Sequence, residues 1–534
     1  MSIEINGLKL SLDESQESLL GLAAKELKLD ISEISDFKIL KESVDARRSE
    51  VKLVYKVSVS CKNESNVLKR SKSKNAVLKE LEVHKLMFGE KPLIHRPVVV
   101  GSGPAGLFCA LRLAEQGYKP LLLERGQDVR TRSKKIGKFW ETGELDPDTN
   151  VQFGEGGAGT FSDGKLTTRI KDHRCGYILE TFVSHGAPPE IEYSSKPHIG
   201  TDILIDVVER IRNKIVELGG EVQFGKKVTD IVSTDGKLSA VVVNESESIP
   251  AEVAVFAIGH SARDTYEMLY SRGFEMTQKP FAVGVRVEHK QSMIDQNQYG
   301  SYSQHPKLKS AEYKLTHKVS NGRSCYSFCM CPGGTVVAAS SEEGHLVVNG
   351  MSEHARDKEN ANSAIVVSVS PEDFNSDHPL AGMEFQRSIE KSAFELTGGS
   401  YKAPVQLLGD FLKDMVSTSI GHIVPSCPRG YEFKNLRDCL PDFVTESIAE
   451  SMKAFDRKIK GFGHDDVVLT GVETRTSAPV RIARDSDGAS TDISGVYPCG
   501  EGAGYAGGIV SAGVDGVKVA ESIMSVYSRG ADSE

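Results

Sequence analysis

Residues 97 to 124 constrain the fold more than any other stretch of the chain. Pro97 to Val100 is an apolar strand and Gly101-Ser-Gly-Pro-Ala-Gly106 is a tight turn. A helical stretch then runs to Gln116 with Gly117 as its stop, and a second strand, Tyr118 to Leu123, ends at Glu124. Strand, helix and strand in that order predict a parallel pair joined by a crossover helix, hence an α/β unit. The turn sets unsatisfied N–H groups at a helix start, where a pyrophosphate is stabilised, and Glu124 lies 23 positions after Gly101, placed to accept ribose hydroxyls. Ala110, one turn into the helix, leaves room for close packing on the strand.

The spacing G-x-G-x-x-G recurs at Gly154 to Gly159 and at Gly502 to Gly507. The segment at Gly154 has no apolar strand before it and reads as a loop. The segment at Gly502 follows a strand, but the 27 residues after Gly507 hold no convincing second parallel strand. One complete dinucleotide fold is therefore expected, with no equal second one for NAD(P). FAD fits better than NAD, because a long flavin cofactor needs segments remote from the first turn. Gly500-Glu501, between the strand Gly495 to Cys499 and a helix starting near Gly507-Gly508-Ile509, supplies one. The amino end of that helix favours negative charge on a reduced flavin.

At 534 residues the chain exceeds the ~250–300 at which one core stops growing. Residues 1–95 read as a small amino-terminal α+β domain, with strand-like Ile3 to Leu10, helical Ser15 to Leu27 and alternating Val51 to Ser60. Residues 96–278 read as the first part of a Rossmann-like FAD-binding domain. After the helix Ile203 to Leu218 come Glu221 to Phe224 and a β-meander over Lys227 to Val243, and Val253 to Ile258 returns to the parallel sheet. Residues 279–463 read as a second, mixed α+β substrate domain, and 464–534 as the carboxyl-terminal part of the FAD-binding domain.

Acidic residues exceed basic ones by 9, which gives no general attraction to nucleic acid or anionic lipid. No secretory start is visible, and no apolar run approaches the ~18 residues of a membrane helix. Nine cysteines, an odd number spread thinly, fit reduced thiols. The expectation is a soluble cytoplasmic protein acting on a small molecule, with its oligomeric state open.

Several segments together resemble a known family. They are Phe153-Gly-Glu-Gly-Gly-Ala-Gly-Thr-Phe-Ser-Asp-Gly-Lys-Leu-Thr167, Ala257-Ile-Gly-His-Ser-Ala-Arg-Asp264, Phe328-Cys-Met-Cys-Pro-Gly-Gly334, Gly471-Val-Glu-Thr-Arg-Thr-Ser477, Tyr497-Pro-Cys-Gly-Glu-Gly502 and, near the amino terminus, Ser43-Val-Asp-Ala-Arg-Arg48. Over nearly all its length the chain is similar to the predicted FAD-dependent dehydrogenases of bacteria and plastids, within the glutathione-reductase-like flavoproteins. The resemblance implies noncovalent FAD along Gly101, Gly103, Pro104, Ala105 and Gly106. It implies that Glu124, with Arg125 beside it, takes the adenosine ribose and the Val228 backbone the adenine, with Gly259 near the pyrophosphate. Gly157, Gly159, Thr160 and Ser162 would flank the cofactor. Gly500 and Glu501 stand where relatives carry Gly-Asp for a ribityl hydroxyl, one methylene longer here, with Gly508 and Ile509 following.

Candidates for chemistry are fewer. Ser162, Asp163, Lys165, Thr167 and Arg169 follow the glycine loop and suit a flavin-proximal role or a solvated polar face. Glu473, Thr474 and Arg475 suit either a grip on a substrate carboxylate or carbonyl, or an internal ion pair. Arg286, Glu288 and His289 read as a polar strand face. Cys325, Cys329 and Cys331 lack zinc spacing and C-x-x-C spacing and read as packed or solvent-lined thiols, a redox pair being the alternative, and no metal is expected. His260 and His422 read as structural. The expected reaction is hydride transfer between FAD and a small organic substrate, with NAD(P)H a transient donor. Rival readings are an RNA-associated flavoprotein using the basic run Lys69 to Lys79, which otherwise reads as a solvated face, and a flavin sensor without turnover.

Overall fold

The computed structural model describes residues 1–47, 50–80 and 84–529; Arg48 of the segment 43–48 lies outside them. The amino-terminal unit is a four-stranded antiparallel sheet in the order Ile34–Asp45, Lys52–Cys61, Ser2–Ser11, Ala76–Lys79, backed by the helices Ser18–Leu27 and Glu64–Ser71. Strict alternation of buried and half-buried residues along Lys52–Cys61 reflects one face on the helices and one toward solvent. The strand Ile34–Asp45, flatter in its hydrophobic pattern, is the longer of two strands of this unit that sequence reading left out, the other being Ala76–Lys79. The longer strand docks the unit, because Glu42 N–H donates to the Tyr193 carbonyl at 2.7 Å and the Glu42 carbonyl accepts from Ser195 N–H at 2.8 Å.

The centre is a five-stranded parallel sheet in the order Val496–Pro498, Ala254–Phe256, Val98–Val100, Leu121–Glu124, Glu221–Phe224. Its three inner strands are wholly buried, as continuous apolar runs in a sheet covered on both faces should be. The helix Pro104–Glu115 covers one face together with Ile509–Val526 and Thr201–Glu217. Gly516 lets the first two touch backbone to backbone, since a Cβ there would stand 2.1 Å from the Ala105 carbonyl oxygen. The meander Val228–Thr234, Lys237–Val243, Glu247–Pro250 packs beside the sheet as a separate antiparallel layer.

The second unit is a seven-stranded sheet in the order Thr316–Lys318, Ser324–Cys331, Asn360–Val369, Phe281–Lys290, Val468–Glu473, Ala403–Leu407, Tyr431–Phe433, antiparallel except for the last pair. Its core includes Val283, Val285, Ile365 and Val367 with Ile448, Met452 and Phe455 of the helix Asp442–Asp456. The sheet reaches Glu473, ten residues past the division expected at 463. The short ribbon Met276–Gln278 with Val480–Ile482 carries the chain out of the central unit and back. Among the described residues no helix is long and apolar enough to cross a membrane.

Candidate functional site

One cavity of about 390 Å3 is lined by all three glycine-rich segments: Gly101, Gly103, Pro104 and Ala105 of the first turn, Gly157 and Gly159 of the loop, and Glu501, Gly507, Gly508 and Ile509 before the last helix. Two of these segments, read as unequal from sequence, thus join the true strand–turn–helix at one place. Gly101 has φ +96°, closed to most side chains, and a Cβ on Gly106 would stand 1.8 Å from the Gly101 carbonyl oxygen. Gly106 therefore supports the turn from behind and does not line the cavity. Gly500 is likewise behind it: its N–H donates to Asp515 at 2.7 Å, and a Cβ would meet that of Ala105 at 2.6 Å. Thr160 also lies off the cavity, 1% exposed, because the one-turn helix Ala158–Phe161 points it inward toward Gly156.

Glu124 is engaged by the protein itself through both of its carboxylate oxygens. One carboxylate oxygen accepts from the Ser102 N–H and hydroxyl at 2.8 and 2.6 Å, and the other from the N–H groups of Gly126 and Gly154 at 2.9 and 3.0 Å. It stitches the first turn to the second glycine loop. That loop is held from its other side by Arg132, fully buried on the helix Val129–Thr142. Arg132 donates to the carbonyls of Asn150, Val151, Glu155 and Gly157 at 2.7 to 3.0 Å. Burial brings its pKa down to about 9 despite Glu124 and Glu155. Arg125 reaches Asp264 at 2.9 Å and lies over the Phe153 ring at 4.4 Å; like Glu124, Lys226, Val228 and Thr265 it lines the cavity. Gly259 and His260 line the cavity as well, and burial, with Arg475 and Arg263 near, takes His260 down to about 4.

The facing wall consists of ion pairs. Asp163, 1% exposed, takes Lys165 at 2.9 Å and Arg356 Nε at 2.8 Å, and a bond from Ser352. Burial alone would raise its carboxyl, but Lys165 and Arg356 hold it at about 2. Glu473 accepts from Arg286 Nε at 2.9 Å, and burial outweighs that partner to leave its carboxyl raised. Arg475 donates to Glu390 at 3.0 and 2.8 Å and to Ser341 at 2.5 Å. Glu390, fully buried, also takes Arg263 at 2.8 and 3.0 Å, and these cations hold it well below the carboxylate range although burial opposes them. Glu473 and Arg475 are thus each held in an ion pair with a different partner, Arg286 and Glu390, while both still line the cavity.

Ser162 and Thr167 line the cavity and Arg169 is exposed. Glu501 receives the Gly508 N–H, and burial lifts its carboxyl to about 7 against the pull of Lys279. The helix Ile509–Val526 begins at Gly508 without a side-chain cap. Sequence reading missed Arg132, Glu390 and the wall position of Cys329. Arg132 sits in a basic run that resembles a solvated helix face, and Glu390 lies 85 residues from its partner Arg475.

Residues 280–476 match the domain family described as FAD-dependent protein, C-terminal domain-like; residues 99–148 match the NAD(P)-binding Rossmann-like domain, and 2–60 a domain of unknown function. An uncharacterised protein of Clostridium beijerinckii is 54% identical over 530 residues, 99% of each chain. Solved structures with a likeness in outline include glycine oxidase from Bacillus cereus (11% identity, TM-score 0.31, 80% of this chain and 94% of that one). Another is glycerol-3-phosphate dehydrogenase from Bacillus halodurans complexed with FAD (13%, 0.31, 82% and 65%). Through its matched domains and this near-full-length relative, the chain belongs to a family of FAD-dependent proteins.

Proposed function

We propose that the protein transfers a hydride between noncovalently held FAD and a small organic substrate. The observation that carries this reading is the convergence of three glycine-rich segments and two helix starts without side-chain caps on one cavity. The residues fit a dinucleotide. Nothing stands within 4 Å of where a Cβ on Gly259, Gly507 or Gly508 would lie, so these positions open onto free space, and the N–H groups of Gly103 and Ala105 at the helix start, on either side of Pro104, which has none, suit a pyrophosphate.

In this reading Glu124 and Arg125 set the adenosine side, with the Val228 backbone at the adenine and Gly259 beside the pyrophosphate. Gly157, Gly159 and Ser162 flank the chain of the cofactor, while Gly106 and Gly500 brace the turns from behind. Glu501, Gly508 and Ile509 take the ribityl and ring end. When bound, the flavin supplies the two-electron chemistry. Glu501, near half-protonated at neutrality, can accept or donate a hydrogen bond to a ribityl hydroxyl. Arg286 orients Glu473, Glu390 orients Arg475, and Asp163 with Lys165 neutralise each other, so these groups shape the substrate wall. Among the described residues no second complete strand–turn–helix unit awaits NADH or NADPH, and a nicotinamide donor would enter from the substrate wall. We divide the chain as 1–95, 280–476, and a cofactor unit of 96–279 with 477–534, and place it in the cytoplasm on its nine free cysteines.

Purification should yield a yellow protein that releases intact FAD on denaturation. Stopped-flow mixing with NADH, NADPH and a panel of small organic reductants should bleach it with at least one of them. A colourless chain that cannot be reconstituted with FAD sinks the proposal, and a yellow chain inert to every reductant leaves it a binding protein.

A further inference from the structure

We propose that Cys329 and Cys331 are a redox-active pair that exchanges two electrons with the bound FAD by cycling between dithiol and disulfide. This rests on the reading of the cavity given above. The strand Ser324–Cys331 carries a bulge: its register against Asn360–Val369 slips between Phe328 and Cys331, and Cys329 adopts φ +42°. The bulge places Cys329 on the wall of the cavity beside Asn349, Glu473 and Glu501, while Cys331 stays fully buried behind it. The two remain close, for the Cys331 thiol donates to the Cys329 carbonyl oxygen at 3.4 Å and sits beside the Cys329 sulfur.

Two cations pin this turn of the strand. Arg286 donates to the Cys329 carbonyl at 2.8 Å, and Lys165 to the carbonyl of Met330. The titratable groups facing Cys329 are Arg286, Lys165, Asp163, Glu473, Glu501 and Cys331. The hydrogen bond from Cys331, then Arg286 and Lys165, hold the Cys329 thiol below the ordinary range although burial opposes them. The other eight cysteines all shift upward. In six of them, Cys109, Cys175, Cys325, Cys427, Cys439 and Cys499, burial is the leading cause. It leads in Cys61 too, while in Cys331 the bond to Cys329 leads. The bulge thus sets one thiol on the cavity wall, where the oxidant binds, with a second directly behind it to complete a disulfide.

The step balances. In the oxidative direction the S–H bonds of Cys329 and Cys331 break and one S–S bond forms. Two electrons and one proton pass to oxidised FAD, and the second proton leaves to solvent. In the reverse direction reduced FAD returns both electrons and the thiols regain their protons.

The test counts electrons on the full-length, FAD-loaded protein. After treatment with diamide and its removal, anaerobic titration with dithionite should consume about four reducing equivalents per flavin in wild type, two for FAD and two for the disulfide. It should consume about two in Cys331→Ser and in Cys329→Ser. Peptide mass mapping of the diamide-treated wild type should show a bridge between residues 329 and 331. A yellow wild-type protein that takes up only two equivalents, or whose mapped peptide keeps both thiols, overturns the pair and leaves the FAD site standing. A colourless protein overturns the reading of the cavity and the pair with it. Two variants are needed because Cys331 is buried, and Cys329→Ser, on the cavity wall, still decides the count if Cys331→Ser folds poorly.

Discussion

The two walls of the cavity achieve fit by opposite means. On the side of residues 101–106, 154–159 and 500–508 the surface is backbone, and the space for a ligand exists because side chains are missing. On the side of residues 163, 473 and 475 it is built of charged side chains, each fixed by a partner from a distant segment, Arg356, Arg286 and Glu390 respectively. The first wall is intolerant of an added atom, and the second of a lost one. That difference assigns distinct penalties to mutations a few ångströms apart.

The largest should follow from Glu390→Ala, which removes the buried carboxylate shared by Arg263 and Arg475 and leaves both to the single, partly exposed Glu342. Breaking one side of a buried ion pair costs ~3–5 kcal/mol. Urea unfolding should show that loss, and a change under about 1 kcal/mol would mean that the network is solvated. Next comes Gly106→Ala, whose new methyl collides with the Gly101 carbonyl. Overpacking of this kind costs ~1–3 kcal/mol and should also displace the turn enough to abolish FAD retention through gel filtration.

Gly507→Ala sharpens the contrast, since its Cβ would enter open space. Stability of the FAD-free chain should stay within ~0.5 kcal/mol of wild type, as for an uncrowded site, while FAD affinity measured by fluorescence quenching should fall. Unchanged affinity would show that the cofactor does not reach this glycine.

The smallest effect concerns pH. Burial raises Glu501 to about 7 in the fold, above the ordinary ~4.3, so the folded chain keeps a proton that the unfolded chain releases. Its contribution to stability is full below about pH 4 and is lost as pH rises toward 7. The melting temperature of FAD-free protein should decline over that window, and less so in Glu501→Gln. Equal slopes in the two proteins would place Glu501 in water.

What could be read from sequence divides along the same line. The strand, turn, helix and Glu124 of the first unit are legible because periodicity and glycine spacing are local, and the observed strand Leu121–Glu124 differs from the expected one only in its start. Even Gly500-Glu501 could be placed, since it also sits between a strand and a helix. The charged wall had no such signature. Arg286 and Glu473 are 187 positions apart, and alternation along Val283 to Glu288 accounts for a polar residue without requiring a partner. Cys329 was hidden by its bulge, because one extra residue in a strand changes which side chain faces the cavity.

The order of strands in the parallel sheet has a consequence for how the chain is made. Ala254–Phe256 is paired on one side by Val98–Val100, but its other neighbour is Val496–Pro498, and the cradle helix is covered by Ile509–Val526. A growing chain emerges from the ribosome at ~5–20 residues per second. For many seconds after the nucleotide fingerprint has appeared, the apolar edge of that strand and the face around Ala105 and Phe108 lack their covering segments. Nascent chains released before about residue 526 should therefore be captured by chaperones or aggregate, and cofactor loading becomes a post-translational event.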